Sequence, residues 1–179
     1  TDMTTIAWIG LGHMGTPMSA HLVAAGHTVQ GFDLNPAACE AAAAHGVTIA
    51  DSMITALRGA EAVFTSLPMP THVRAVYDGP EGIWANAEPH AFLMDTSTVD
   101  VETSRWCHEG SQAAGFAFVD APVSGGQAGA ENGVLTVMCG GDAAAFDHML
   151  PVAMAYSRAV TRIGDSGAGQ LAKMVNQIC

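Results

Sequence analysis

Two glycine turns and one late lysine carry most of the residues in this chain that could do chemistry. The first turn, Gly10-Leu11-Gly12-His13-Met14-Gly15, directly follows the apolar run Ile6-Ala7-Trp8-Ile9 and precedes a helical pattern. In a strand-to-helix turn of this spacing, Gly10 permits the tight turn and Gly12 lets a pyrophosphate approach bare backbone. Gly15 lets the helix pack close to the strand, and the helix then points its N-terminal amides at the phosphates. A glycine pattern alone is a weak signal in a chain with 20 glycines. Its context is stronger: Asp33 ends the next β-like run, near the ~20-residue spacing at which a carboxylate meets the ribose of a dinucleotide. A carboxylate accepts both ribose hydroxyls and repels a 2′-phosphate, and neither Leu34 nor Asn35 is basic, so NAD is favoured over NADP. The alternative is that Asp33 caps the helix opening near Pro36.

The second turn, Ser124-Gly125-Gly126, presents backbone donors that suit a small carboxylate, or it is simply a structural turn. Hydride transfer between a nicotinamide and an alcohol also needs a group that takes or gives the hydroxyl proton. Lys173 is the candidate, and an amide one turn later, Asn176 or Gln177, can converge with it on the same small molecule. The alternative is a solvated helix lysine, although only six Lys and Arg are present. Leu67 and Pro68 close an apolar run, and Thr96-Ser97-Thr98 closes another. Ligands of open α/β sheets lie at such strand ends, so Leu67 and Pro68 are candidate walls for the nucleotide, or mere strand terminators.

The elements that must position these residues alternate. Helices are expected over 14–25, 36–45, 52–58, 99–114 and 142–156, with Gly26, Gly46 and Gly115 as stops. Strands are expected at 6–9, 28–33, 47–49, 62–67, 91–95, 116–119, 134–139 and 159–163. Residues 82–87 read as a turn-rich connection and Gly140-Gly141 as a turn. A last helix begins near Gly169, with Leu171, Met174, Val175 and Ile178 on one apolar face. The fold class is therefore α/β, a Rossmann-type doubly wound, mostly parallel sheet.

A net charge of -11 argues against nucleic acid and acidic membrane surfaces as partners. No basic leader precedes the first strand, and no segment approaches the ~20 apolar residues of a membrane span. Thr1-Asp2 ahead of Met3 read as added residues. Cysteines at 39, 107, 139 and 179 lack CxxC spacing and read as buried thiols in a reduced, cytoplasmic setting. The scattered histidines, His13, His21 and His27 among them, read as surface or half-buried, with no metal site expected.

The pieces IGLGHMGTPM, the FD closing the second strand, LP at 67–68, DTSTVD at 95–100, DAPVSGG at 120–126, NGVLTVMCGGD at 132–142 and GAGQLAKMVNQ at 167–177 together resemble the β-hydroxyacid dehydrogenase family. That family includes 3-hydroxyisobutyrate dehydrogenase and tartronate semialdehyde reductase, and the resemblance covers the whole chain. It implies that Gly10 to Gly15 and Asp33 bind the cofactor, with Leu67 and Pro68 beside it. It places Thr98 near the nicotinamide and substrate, and Ser124, Gly125 and Gly126 on the substrate carboxylate. Lys173 would be the catalytic acid/base, with a substrate-binding amide from Asn176, or from Gln177 one position on. The resemblance further implies that residues 1–165 are the dinucleotide domain and 166–179 the start of a long interdomain helix. An all-helical domain that completes the site and supports a homodimer or larger oligomer would follow. The alternatives are a stand-alone nucleotide-binding or docking module and an imine reductase, though Lys173 argues against the latter.

Overall fold

The computed structural model describes residues 3–179; Thr1 and Asp2 lie outside them. In chain order the elements are β1 (Thr5–Ile9), α1 (Gly15–Ala24), β2 (Thr28–Phe32), α2 (Pro36–Ala43), β3 (Thr48–Ile49), α3 (Met53–Leu57), β4 (Ala62–Thr65), α4 (Pro70–Tyr77) and α5 (Ile83–Asn86). There follow β5 (Phe92–Asp95), α6 (Val101–Ala113), β6 (Ala117–Asp120), β7 (Val123–Ser124), α7 (Gly126–Glu131) and β8 (Leu135–Gly141). The chain closes with α8 (Ala143–Ala153), a 3-10 turn at Met154–Tyr156, β9 (Ser157–Gly164) and α9 (Ala168–Ile178).

One sheet runs β3-β2-β1-β4-β5-β6-β8-β7, with β9 on the other side of β8. The strands from β3 to β6 are mutually parallel; β8 is antiparallel to β6 and β7 and parallel to β9. The order reverses between β1 and β4, and an open sheet of this kind binds ligands in the crevice at that reversal. Both faces are covered. One core cluster joins Trp8, Leu22, Phe64 and Tyr156, and the other joins Ile9, Leu57, Tyr77 and Phe118. Trp8 stacks on Phe64 with centroids 5.1 Å apart, and Tyr156 meets both rings edge-on. Each such buried side chain contributes on the order of 2 kcal/mol relative to exposure, which fixes β1 and β4 beneath the crevice.

Local chemistry sets most helix starts. Ser52, Asp100 and Asp142 each accept a hydrogen bond from the amide three residues on, satisfying donors that a helix start otherwise leaves open. Where expectation and structure part, packing is the reason. Helix α4 was not foreseen: its Thr, Val and Tyr are poor helix formers, and burial of Val73 and Tyr77 holds it. The 82–87 connection contains helix α5. Helix α7, also unforeseen, holds two glycines; His21 Nε2 lies 2.9 Å from the Ala130 and Glu131 carbonyls at its C-terminal end, where a donor is favoured. Gly140 and Gly141 are the end of β8 rather than a turn. A Cβ on Gly141 would stand 2.8 Å from the Phe118 carbonyl oxygen, so these glycines serve close strand approach.

Cys107 and Cys139 are buried, but Cys39 is only half-buried and Cys179 is exposed, which corrects the reading of all four as buried. Burial, and then the charge of Asp120, push the Cys139 thiol up to about 12. His27 is buried rather than at the surface, its Nδ1 accepting from the Thr4 amide at 3.2 Å. No helix among the described residues is long and apolar enough to cross a membrane.

Gly110 on α6 lies so close to the Trp84 ring of α5 that a Cβ would enter it. Gly110→Ala is expected to destabilise the fold by about 1–3 kcal/mol, read from the urea midpoint against Gln112→Ala on the exposed side of the same helix.

Candidate functional site

Every predicted site residue except Lys173 and Asn176 lies at or just beyond a strand end, and most follow the carboxyl ends of β1, β2, β4 and β5. In the first turn Gly10 has φ +99° and donates its amide to the Phe32 carbonyl at 3.0 Å. Its own carbonyl accepts from Trp8 Nε1 at 2.9 Å. A Cβ on Gly15 would run into that carbonyl and come within 2.9 Å of the indole nitrogen, so α1 can sit this close only with glycine there. At Gly12 nothing lies within 4 Å of an added Cβ. The amides of Gly12, His13 and Met14 have no hydrogen-bond partner among the described residues. Unfilled donors at a helix N-terminus beside open space fit a dinucleotide's pyrophosphate. A cavity of about 770 Å³ runs from Gly12, His13 and Thr16 along the groove between α1 and α2.

Leu11 has a different task from its neighbours. Its side chain is buried in the core, and its amide donates to Asp33 Oδ2 at 2.7 Å, tying the turn to the end of β2. Asp33 Oδ1 accepts from the Asn35 amide at 2.8 Å. The cap of α2 is Asn35, whose Oδ1 accepts from Ala37; the alternative in which Asp33 caps that helix is overturned, because its carboxylate is committed to Leu11 and Asn35. Two amides leave each carboxylate oxygen with further lone pairs for ribose hydroxyls.

The ends of β4 and β5 are bound to each other. Leu67 is half-buried and Pro68 exposed, and the Leu67 amide donates to Ser97 Oγ at 2.8 Å. Thr98 is exposed between buried Ser97 and Val99. Beneath them, Asp95 Oδ1 accepts from Thr65 Oγ1 at 2.8 Å and from the Ser97 amide at 3.1 Å. Since the Thr65 hydrogen points to the carboxylate, the Tyr77 hydroxyl, 2.9 Å away, donates to Thr65. Burial pushes the Asp95 carboxyl up to about 6, although the Ser97 and Thr65 hydrogen bonds pull it back; the charge of Asp120 raises it further.

Ser124 ends β7, and Gly125 and Gly126 follow it at φ +133° and +60°, a backbone that glycine adopts most easily. Helix α9 reaches this turn through Asn176. Asn176 Nδ2 lies 3.4 Å from Ser124 Oγ, at the long limit of a hydrogen bond. Lys173, half-buried, stands one turn earlier and forms no ion pair among the described residues. Gln177 is exposed with no polar partner among the described residues, so the structure brings Asn176, not Gln177, to Ser124. The apolar Leu171, Met174, Val175 and Ile178 are each about half exposed or more.

Sequence reasoning missed the residues that hold α9 in place. Asp120, fully buried at the end of β6, accepts from the Gly167 amide at 3.0 Å and the Gln170 amide at 3.1 Å. His108 Nε2 lies 2.7 Å from the same carboxylate. The buried Gln170 side chain donates to the Ser97 carbonyl at 2.7 Å and accepts from the Val99 amide at 3.1 Å. A glutamine in the first turn of an amphipathic helix gives no local sign of such a role.

A family model described as the NAD binding domain of 6-phosphogluconate dehydrogenase matches residues 5–164. The chain belongs to this family. Over 176 residues this NAD-binding domain is 43% identical to 3-hydroxyisobutyrate dehydrogenase of Pseudomonas aeruginosa, covering 98% of this chain and 59% of that protein. It is 41% identical to an NAD-dependent L-serine dehydrogenase of the same organism, over 97% of this chain and 58% of the relative. The solved 3-hydroxyisobutyrate dehydrogenase of Mycobacterium tuberculosis with L-serine superposes with a TM-score of 0.95 at 42% identity, covering 99% of this chain and 60% of that one. The chain thus spans about three-fifths of the length of these relatives.

Open Gly12 and crowded Gly15 separate stability from binding. Gly12→Ala is expected to weaken NAD binding by about tenfold or more with an unchanged melting temperature, whereas Gly15→Ala lowers both; calorimetric titration and thermal unfolding check the pair. Asp95 sets a pH dependence. Its folded-state value of about 6 exceeds the ordinary aspartate value of 3.8, so the native state holds the proton more tightly and loses stability as pH rises between the two. Asp95→Asn keeps both acceptor contacts, so its stability relative to wild type is expected to rise by up to about 3 kcal/mol from pH 3 to pH 7, measured by denaturant unfolding.

Proposed function

We propose that this chain is the cofactor-binding part of an NAD-dependent dehydrogenase that interconverts a small β-hydroxyacid and its semialdehyde. The observation that carries the reading is the approach of Asn176, on the helix that also bears Lys173, to Ser124 in the second glycine turn. It supports a site in which the lysine, the amide and the anion-suited backbone turn serve one substrate. The relatives named for 3-hydroxyisobutyrate and L-serine support the substrate class, since both compounds carry a hydroxymethyl group on the carbon that bears the carboxylate.

In this reading Ser124 and the amides of Gly125 and Gly126 hold the substrate carboxylate, and Asn176 orients the substrate beside them. NAD supplies the hydride acceptor. Lys173 takes the hydroxyl proton during oxidation and returns it during reduction, and Thr98 bounds the space between substrate and nicotinamide. At the far end, Gly12, His13 and Met14 donate to the pyrophosphate, with Gly10, Leu11 and Gly15 shaping the turn. Asp33 takes the ribose hydroxyls, which disfavours NADP, and Leu67 and Pro68 wall the nucleotide. Residues 1–165 form the dinucleotide domain, and 166–179 begin an interdomain helix whose exposed apolar face packs on a helical domain in the intact enzyme. A homodimer or larger oligomer and a cytoplasmic setting belong to the same proposal.

In the intact enzyme Lys173→Ala is expected to lower kcat by about a hundredfold or more while NAD affinity changes little, tested with a panel of β-hydroxyacids and both NAD and NADP. Turnover at the wild-type level in that variant overturns the role of Lys173. A wild-type protein that binds NAD but oxidises none of the panel would instead favour a binding module.

A further inference from the structure

We propose that Gln170 is the positioning residue that sets the distance between Thr98 and Lys173, and so the alignment of cofactor and substrate. The inference rests on the roles given above to Thr98 and Lys173. Its geometry stands independently of them.

Gln170 lies on α9 one turn before Lys173, with 2% of its surface exposed. Its side-chain amide reaches out of the helix to the loop after β5, where Nε2 donates to the carbonyl of Ser97 and Oε1 accepts from the amide of Val99. These two groups flank Thr98 and point the same way, as the carbonyl and amide on either side of one residue do in an extended chain. The glutamine therefore imitates a neighbouring strand for a single residue. Thr98 is left exposed between two buried neighbours, clamped on both sides by one planar group.

The clamp is anchored at its base. Asp120 accepts from the Gln170 and Gly167 amides, so the backbone that carries the glutamine cannot slide along the helix axis without losing bonds to a buried carboxylate. A Cβ on Gly169 would stand 2.7 Å from Asp120 Oδ2, and glycine there lets the helix come this near. From the other side, Ser97 Oγ accepts from the Leu67 amide. The loops after β4 and β5 and helix α9 are thus joined through Leu67, Ser97 and Gln170. No other side chain among the described residues hydrogen-bonds the Ser97 carbonyl or the Val99 amide.

Only glutamine meets both demands. Asparagine is one methylene too short, methionine has the length without the bonds, and ionised glutamate offers no donor to the Ser97 carbonyl. Protonated glutamate, however, has one donor and one acceptor in the same plane. A buried carboxyl beside Asp120 takes up its proton above the usual glutamate range, so Gln170→Glu can regain the clamp in mild acid.

The experiment compares Gln170→Met, Gln170→Asn and Gln170→Glu with wild type in the intact enzyme. Hydrogen exchange at the Val99 amide, read by mass spectrometry, is expected to quicken by about tenfold or more in Gln170→Met, while exchange in β1 and β4 stays unchanged. With a saturating β-hydroxyacid, kcat is expected to fall by about tenfold or more with substrate KM and NAD affinity nearly unchanged, and the primary isotope effect from deuterated substrate to rise. The activity of Gln170→Glu relative to wild type is expected to recover as pH is lowered from 8 to 5.5, a recovery that Gln170→Met lacks. Unaltered exchange at Val99 overturns the clamp. So does an equal loss in all three variants at every pH with an unchanged isotope effect, the mark of a merely destabilised fold. A wild-type enzyme inactive on every β-hydroxyacid would defeat the proposed reaction instead, and the exchange measurement would still decide the clamp.

Discussion

The position of the last helix depends on one buried carboxylate. Asp120 has no solvent exposure, and its oxygens take hydrogen bonds from the Gly167 and Gln170 amides and from His108. A charge placed so deep is tolerable only when donors surround it, and here the donors come from α6 and from the first turn of α9. The neighbouring glycines follow from the same constraint. Cβ atoms on Gly140 and Gly169 would each stand 2.7 Å from an Asp120 oxygen, so strand β8 and helix α9 close around the carboxylate only because both positions are bare. With α9 seated in this way, Asn176 comes within 3.4 Å of Ser124, and Lys173 stands one turn earlier on the same helix.

A second constraint shapes the opposite end of the site. The Trp8 indole, stacked on Phe64 inside the core, donates to the Gly10 carbonyl, and Gly15 packs on both. The glycine turn is held from below by an aromatic ring, so its free amides are aimed before any ligand arrives. Preorganised donors of this kind bind an anion without first having to be ordered. Asp33 adds a lateral tie through the Leu11 amide, so the carboxylate assigned to the ribose is also a strut of the turn.

The architecture was legible because each of its signals is local. Apolar runs bounded by glycine located most strands, and helical stretches stopped by Gly26, Gly46 and Gly115 located several helices. The glycine turn with Asp33 pointed to a dinucleotide site by its spacing. Helices α4 and α7 were missed because their own residues favour helix weakly, and contacts made elsewhere hold them: Val73 and Tyr77 in the core, and His21 at the end of α7. Gly140-Gly141 read as a turn because glycine pairs usually make one, whereas here they admit the edge of β6.

What the sequence determined by itself was therefore the alternation of most strands and helices, the glycine turn after β1 and the candidates for chemistry, since residue type and short-range spacing encode all three. The tertiary structure decided which candidates meet. It chose Asn176 over Gln177 as the neighbour of Ser124, and it gave the capping of α2 to Asn35. It also revealed that Asp120 and Gln170 fix the distances between the parts. Apart from the local cap at Asn35, these outcomes depend on bonds between residues 47 to 73 positions apart, and such partners are defined only once the sheet has brought its strand ends to one edge.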